Sequence, residues 1–409
     1  MMYQQLETHL SFFSVLEGLT DNPFVQHCRY VLEANDSAAF GREYGALCNL
    51  IYRTGDVRQA LLEAVHCDEN ALNTRLDAPT PYVLNAATHD LSVLNDLLAL
   101  SGDDLLRMAR KTFPELKDST ENLPTFPASE PLPFTTGEAL AAYYRAHGFG
   151  AFACANAFTM QAGGIIQPIP HPDPIRLTDL PGYKRQKKAI LTNTLAFLAG
   201  RNANNILLYG DKGTGKSSTV KAIVNEYASR GLKIVELPPR LITEFPRLCD
   251  RIAASPFRFI VFLDDLAFDQ EDENFAALKA FIEGSLAGRP KNMVIYATSN
   301  RRHLVRESFS SRQGDDIHLR DTLETATSLS DRFGLEITFS VPDKDEYLYI
   351  VDELAAEYDV ALPKDELHLL AERFALRRNG RSPRTARQFI RQHLAEIHHS
   401  KIESKQENK

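Results

Sequence analysis

The run GDKGTGKS, Gly210–Ser217, contains the residues whose spacing most clearly indicates chemistry. It fits the pattern G-x-x-x-x-G-K-[ST], in which glycines let the backbone wrap closely around phosphates and backbone N–H groups bind the anion. In this pattern Lys216 neutralises the β- and γ-phosphates, and the Ser217 hydroxyl ligates magnesium. The sequence therefore predicts a site for a nucleoside triphosphate with Mg²⁺. The residues expected to bind it are Gly210, Asp211, Lys212, Gly213, Thr214, Gly215, Lys216, Ser217 and Ser218.

Two carboxylates end the apolar run FIVFLDD, at positions 264 and 265. An apolar strand of a parallel sheet delivers its last residues to the sheet edge where a phosphate loop also lies. We expect Asp264 to hold magnesium, directly or through water, and Asp265 to act as the general base toward the attacking water. Acidic residues also end strands as helix caps, but the phosphate loop upstream favours the catalytic interpretation.

Three more polar residues follow in the same order along the chain. Asn300 ends the run YATSN, where its amide could orient the lytic water or contact the γ-phosphate. Arg332 in SLSDRFG could reach the γ-phosphate of a neighbouring subunit, or it could be a surface arginine paired with Asp331. Arg384 in GRSPRTARQF could close onto bound nucleotide. The alternative for this last motif is a solvated basic face formed by Arg381, Arg384 and Arg387.

The surrounding elements must position these groups. From about residue 204, apolar runs alternate with helical patterns, which predicts a parallel sheet covered by helices on both faces. Helical patterns alone follow Pro342, short helices precede residue 113, and prolines interrupt the segment between them. The predicted organisation is an α-helical domain over 1–112, a proline-rich linker with a short helical segment over 113–176, an α/β nucleotide-binding domain over 177–342, a helical lid over 343–400 and a polar tail over 401–409.

Composition narrows the functional classes. The 409 residues carry a formal net charge of −8, which gives no support to general nucleic-acid binding. The five cysteines are scattered without a CxxC pair, which predicts reduced, buried thiols. The N-terminus lacks a basic segment followed by an apolar one, and no run of about 18 apolar residues occurs. We therefore expect a cytoplasmic protein without membrane contact.

Taken together, these motifs resemble the AAA+ ATPases. GDKGTGKS resembles Walker A, FIVFLDD Walker B, Asn300 sensor 1, Arg332 the arginine finger and Arg384 the sensor 2 arginine. More narrowly, residues from about Leu177 to Ile397 resemble the bacterial AAA+ family known as domain of unknown function number 815. The resemblance implies Mg-ATP hydrolysis at subunit interfaces of a homo-oligomeric ring, such as a hexamer. It also implies an unknown macromolecular partner, bound through residues 1–176, and an adenine near LPGYKRQ, which starts at Leu180.

Two departures from the usual AAA+ pattern leave alternatives open. Walker B usually ends in Asp-Glu, whereas the shorter Asp265 stands here, so a slow or non-hydrolysing switch that presents the N-terminal helices to a partner is the competing hypothesis. A charged segment before Arg332 contains rival finger candidates, Arg306, Arg312 and Arg320. The sequence contains no N-K-x-D run, which a GTPase would use to recognise guanine. A small-molecule kinase would leave Arg332 and the C-terminal helices without a role. A DNA-associated role remains possible, but the negative net charge does not favour it.

Overall fold

The computed structural model describes residues 2–116, 122–253, 255–267, 273–284, 290–300, 333–378 and 380–394. The chain divides into two compact units, Met1–Ala155 and Asn156–Lys409, which we call the helical unit and the α/β unit. Across the described ranges, none of the helices combines the length and apolar character that a membrane crossing requires.

The helical unit is built from short helices whose first turns are capped by side chains. The carboxylates of Asp36 and Asp56 and the hydroxyls of Ser101 and Thr136 each accept a hydrogen bond from the backbone N–H three residues later. Such caps satisfy N–H groups that have no partner within a helix. The described helices are α1 (Met2–Leu10), α2 (Pro23–Leu32), α3 (Ser37–Thr54), α4 (Val57–Cys67), α5 (Ala71–Thr74), α6 (Pro81–Leu98), α7 (Gly102–Thr112), α8 (Gly137–His147) and α9 (Ala151–Cys154).

The described part of the predicted linker, 113–176, is divided between the two units. Phe126 and Phe134 are buried in the core of the helical unit together with Leu140 of α8. Proline prevents helix formation here, but an extended chain can still bury apolar side chains. A hydrogen bond also holds the proline-rich segment, because the Tyr44 hydroxyl donates to the backbone carbonyl of Pro124 at 2.7 Å. The later residues of the segment enter the sheet of the α/β unit.

Cysteine pairing differs from the sequence-based expectation. Cys67 at the end of α4 and Cys154 at the end of α9 form a disulfide, with their Cα atoms 5.7 Å apart. The prediction of reduced thiols is therefore wrong for these two residues, because helix packing joins positions that are 87 residues apart in the chain. Cys28, Cys48 and Cys249 are buried and are not part of this disulfide, as expected.

The α/β unit is organised around one mostly parallel sheet, in the order β2-β1-β4-β5-β6-β3-β7. The pair of β1 and β2 is antiparallel, and the other described pairs are parallel. The predicted fold class, a parallel sheet between helices, is confirmed, with this antiparallel edge as an addition. The strands are β1 (Ala157–Gln161), β2 (Ile165–Pro168), β3 (Ile206–Gly210), β4 (Leu232–Glu236), β5 (Arg258–Leu263), β6 (Met293–Ser299) and β7 (Leu335–Phe339).

Helices cover this sheet, and three more form the predicted lid. The covering helices are α10 (Lys184–Leu198), α11 (Lys216–Tyr227), α12 (Phe245–Ala253) and α13 (Glu273–Gly284). The lid helices are α14 (Lys344–Glu357), α15 (Lys364–Arg377) and α16 (383–394). The lid has a core of its own, in which Tyr347, Leu367 and Ile390 are buried. Every residue of β6 is also buried, which is typical of a central parallel strand covered on both faces.

Candidate active site

Three neighbouring strands end at the same edge of the sheet and bring the predicted site residues together. In the parallel registers, Tyr209 of β3 lies opposite Ser299 of β6, and Leu263 of β5 lies opposite Ala297. The residues that follow are the phosphate loop after β3, the two aspartates after β5 and Asn300 after β6. In open α/β sheets this carboxyl edge is where ligands bind.

The phosphate loop depends on glycine at three positions. Gly210, Gly213 and Gly215 have φ angles of 136°, 80° and 92°, which other residues rarely adopt. At Gly210 a side chain is also excluded by contact, because a Cβ there would lie 2.1 Å from the carbonyl oxygen of Phe339. Helix α11 starts directly after Gly215, so its first N–H groups have no partner within the helix and are available to an anion.

The Lys216 side chain is held inside the loop by hydrogen bonds of its amine. Its Nζ donates to the carbonyl oxygens of Gly210 and Asp211, both at 2.8 Å, and to Oδ1 of Asn300 at 3.2 Å. The residue is only 7% exposed. Burial lowers the pKa of Lys216, although nearby carboxylates, of which Asp211 has the largest effect, oppose this shift. A partly desolvated ammonium group is one that binding of an anion stabilises.

Asp264 is held by two hydroxyl groups. Its Oδ1 accepts hydrogen bonds from Oγ of Ser217 and from Oγ1 of Thr298, both at 2.6 Å. The Thr298 oxygen also accepts the backbone N–H of Asp265 at 2.8 Å. Thr298 was missed from the sequence, although it lies near the end of β6, two residues before Asn300. The feature that could have predicted Thr298 is its position two residues before Asn300 in the run YATSN, because alternate residues of an extended chain point to the same side.

The donor set of Ser217 and Asp264 fits magnesium. Both side chains offer the hard oxygen ligands that this ion prefers, and adjacent oxygens in an ideal magnesium octahedron lie about 2.9 Å apart, close to the observed separation. In the part of the chain that the structure describes, no group of three or more His, Cys, Asp or Glu side chains could hold a metal ion. A site with one carboxylate, completed by substrate oxygens and water, is common for magnesium.

Asp265 adopts a left-handed backbone conformation, with φ at 53°. Non-glycine residues held in this region cost of order 1 kcal/mol and are concentrated at functional sites. Its exposed carboxylate accepts a hydrogen bond from Nδ2 of Asn300. Asn300 thus bridges Lys216 and Asp265, because its amide oxygen binds the first residue and its amide nitrogen binds the second. These two hydrogen bonds place the Lys216 amine and the Asp265 carboxylate in one network.

The lid reaches the phosphate loop through Arg384, whose backbone N–H donates to the carbonyl oxygen of Gly213 at 3.2 Å. Its side chain lines a cavity of about 600 Å³ above the loop. The alternative of a solvated basic face does not describe Arg381 or Arg387, whereas Arg384 is exposed. Arg381 forms a bidentate ion pair with Glu372, at 2.9 and 2.6 Å, and Arg387 donates to the carbonyl of Asp179.

The cavity contains most of the residues predicted from the sequence. Lys212, Ser218 and Asp265 lie on its wall beside the residues already described. Its remaining lining includes Leu180, whose segment was predicted to lie near the adenine, and Gln388 and Arg391 on α16, which sequence reasoning did not select. The lining comprises Leu180, Lys212, Gly213, Gly215, Lys216, Ser217, Ser218, Asp264, Asp265, Thr298, Asn300, Pro383, Arg384, Arg387, Gln388 and Arg391.

Two predicted residues have a structural contact in addition to their place in the loop. The Asp211 carboxylate accepts the backbone N–H of Val341 at 3.0 Å, which ties the loop to the segment between β7 and α14. The buried Thr214 hydroxyl donates to the carbonyl oxygen of Asp211 at 2.8 Å and so stabilises the turn. Arg332 and the rival finger candidates lie outside the described residues.

Similar solved structures include a RuvB variant from Thermotoga maritima, at 20% identity and a TM-score of 0.36. They also include the RuvB Holliday junction branch migration motor of the same organism, at 19% identity and a TM-score of 0.36. Each match covers 53% of this chain and 62% of the RuvB chain, so the chain spans less than two thirds of the structures that it matches.

No curated protein matches this chain. The family described as "Protein of unknown function (DUF815)" matches residues 153–397, which is more than half of the sequence and coincides closely with the α/β unit. The expected resemblance to this family is confirmed over the matched region. The chain therefore belongs to the DUF815 family.

Proposed function

We propose that this protein is an AAA+ ATPase, which binds Mg-ATP and hydrolyses it at subunit interfaces to remodel or regulate a macromolecular partner. One observation carries the proposal. Asn300 bridges the buried amine of Lys216 and the carboxylate of Asp265. Asp264, which accepts a hydrogen bond from the Ser217 hydroxyl, lines the same cavity, together with Arg384 of the lid. An amine, a base and a metal ligand at one edge match the requirements of phosphoryl transfer to water.

The side chains of the site have separate tasks in this proposal. Lys216 and the N–H groups at the start of α11 bind the β- and γ-phosphates. Asp265 accepts a proton from the attacking water, and Asn300 holds that carboxylate in place. Arg384 contacts the phosphates from the lid. When bound by Ser217 and Asp264, magnesium would neutralise charge on the phosphate oxygens.

Assembly and location belong to the same proposal. Arg332 would act in trans on the nucleotide of the next subunit in a homo-oligomeric ring, such as a hexamer. Residues 1–176 would bind the unknown macromolecular partner. We place the protein in the cytoplasm, where ATP is supplied.

The second candidate function is a slow or non-hydrolysing switch, and the hydrogen bond between Asn300 and Asp265 favours it. The carboxylate oxygen that accepts the Asn300 amide is occupied by this hydrogen bond and is less available to an attacking water. The aspartate is also one methylene shorter than glutamate. In this alternative, ATP closure of the lid exposes the helical unit to a partner with negligible turnover.

The test compares ATP binding with ATP hydrolysis over a range of protein concentrations. Turnover per chain is expected to rise with concentration, because each complete site needs a neighbour. Arg332→Ala is expected to leave the Kd for ATP unchanged and to lower kcat at least about 100-fold, which is typical of a lost finger. Arg377→Ala, which changes an exposed arginine of α15, is the matched control.

The results also separate the two candidate functions. Tight ATP binding without hydrolysis at any concentration would contradict the ATPase and support the switch. Asp265→Glu then measures how far the shorter side chain limits the rate: a large gain in kcat identifies a switch tuned by this residue. Unchanged kcat in Arg332→Ala, with loss in Arg306→Ala, Arg312→Ala or Arg320→Ala, would move the finger to that residue.

A further inference from the structure

Helix α16 crosses the cavity in a direction that two contacts define. At its start, the backbone N–H of Arg384 donates to the carbonyl oxygen of Gly213 in the phosphate loop. One turn later, the Arg387 guanidinium donates to the carbonyl of Asp179, the neighbour of cavity-lining Leu180. The helix therefore runs from the phosphate end of the cavity toward the end formed by Leu180.

Beyond Pro383 at its first position, α16 contributes four residues to the cavity lining, at positions 384, 387, 388 and 391. These positions are spaced i, i+3, i+4 and i+7, so they share one face of the helix. At 1.5 Å of rise per residue, Arg391 lies about 10 Å along the axis from Arg384. Since Gly213 and Lys216 define the phosphate end, Gln388 and Arg391 stand toward the end where the base of a nucleotide would lie.

Gln388 and Arg391 are the candidates for ligand contacts at the Leu180 end of this wall. Arg387 is already committed to the carbonyl of Asp179. Gln388 and Arg391 are exposed, and the structure gives neither of them a hydrogen bond or ion pair to another described residue. Leu180 presents an apolar side chain to the same cavity. The base end thus combines an apolar surface with one uncommitted amide and one uncommitted guanidinium.

The chemistry of these groups matches a purine base, and adenine in particular. A planar guanidinium stacks on an aromatic face, with a contribution from its charge. A glutamine amide donates and accepts side by side, which complements the N6 donor and N7 acceptor of adenine. Guanine presents two acceptors, O6 and N7, at the same edge, so a single amide satisfies it less well.

We propose that Gln388 and Arg391 determine base specificity in this cavity: Arg391 packs on the base opposite Leu180, and Gln388 binds the edge of adenine. The inference rests on the proposed function, because it requires a nucleoside triphosphate in the cavity. It assigns a role to the lid beyond the phosphate contact of Arg384, since closure would complete the base pocket.

The experiment measures binding to the full chain by titration calorimetry in the presence of Mg²⁺. The probes are ATP, GTP and inorganic tripolyphosphate, which keeps the phosphates and lacks the base. Arg391→Ala is expected to weaken ATP about tenfold and to leave tripolyphosphate unchanged, in line with the usual effect of one lost stacking partner. Gln388→Ala is expected to reduce the preference for ATP over GTP about tenfold.

Two further variants act as controls. Arg391→Lys keeps the charge and removes the plane, so it is expected to bind ATP almost as weakly as Arg391→Ala. Arg377→Ala changes an exposed arginine outside the cavity and is expected to bind all three probes like the wild type. Because residues 388 and 391 are exposed, thermal melting of their variants is expected to match the wild type.

The outcomes that overturn the proposal are distinct from failure of the proposed function. Equal weakening of ATP and tripolyphosphate in Arg391→Ala would place Arg391 at the phosphates and overturn its role as a base contact. Unchanged ATP and GTP binding in both alanine variants would overturn the base pocket while leaving the ATP site intact. A wild-type chain that binds neither ATP nor tripolyphosphate would overturn the proposed function itself, and this inference with it.

Discussion

Asp90 in the helical unit and Asp264 in the α/β unit are both carboxylates that join separate segments, but their partners differ. Asp90 is fully buried, and its Oδ2 accepts the backbone N–H groups of Ser14, Val15 and Leu16, at 3.1, 2.8 and 2.9 Å. Asp264 accepts from two hydroxyls at the wall of a cavity. Backbone donors cannot leave without unfolding the segment, whereas hydroxyls can rotate toward a ligand.

The same contrast extends to the rest of each unit. In the helical unit, side-chain caps satisfy backbone N–H groups at helix starts, and the disulfide joins α4 to α9. In the α/β unit, a buried amine at Lys216 and a left-handed Asp265 are retained at the sheet edge, although both cost stability. The Asp90 carboxylate is therefore paired with the backbone, whereas the carboxylates of Asp264 and Asp265 in the candidate site accept from side chains.

Replacing Asp90 tests the structural side of this comparison with the largest expected effect. Asp90→Ala leaves three buried or partly buried N–H groups without their acceptor, so the free energy of unfolding of the helical unit should fall by about 3–5 kcal/mol. Hydrogen exchange of the full chain measures this unit separately. Asp96→Ala, at an exposed position of the same helix α6, should change it by less than about 0.5 kcal/mol. A loss of ATP affinity without faster exchange in the helical unit would break the comparison.

Removing the disulfide should have the next largest effect. Changing Cys67 and Cys154 together to serine is expected to lower the free energy of unfolding of the helical unit by about 2–4 kcal/mol, because the unfolded chain loses a constraint across a long loop. Thermal melting and exchange of α4 and α9 measure the change. Adding a thiol reductant should reproduce it in the wild type and have no effect on the serine variant. Equal stability of both proteins under oxidising conditions would contradict the stabilising role.

Thr298→Val tests the functional side with the smallest expected effect. Valine keeps the shape of the side chain but removes the hydroxyl that contacts Asp264 and the backbone of Asp265. We expect kcat for ATP hydrolysis to fall about tenfold, equivalent to about 1.4 kcal/mol, with little change in the Kd for ATP. The control Thr192→Val alters an exposed threonine of α10 and should keep full activity. Activity that falls only in proportion to the folded fraction would instead make Thr298 a structural residue.

Local patterns made much of the α/β unit predictable. The glycine spacing of GDKGTGKS is itself the condition for the loop, and apolar runs with buried residues on both faces mark β3, β5 and β6. Because strand ends in a parallel sheet share one edge, Asp264 and Asn300 could be assigned to the site before their partners were known. The burial of the proline-rich segment was not predicted, because Phe126 and Phe134 do not follow a helical period. Both side chains are nevertheless buried in the core of the helical unit.

Local sequence patterns were sufficient to predict the phosphate loop, the carboxylates after β5 and the order of the elements, because each depends on residues close together in the chain. The folded chain was needed to show that Cys67 bonds to Cys154, that Thr298 contacts both aspartates and that Arg387 donates to the carbonyl of Asp179. These contacts link positions from 33 to 208 residues apart. Their geometry follows from strand register and helix packing, which no local spacing specifies.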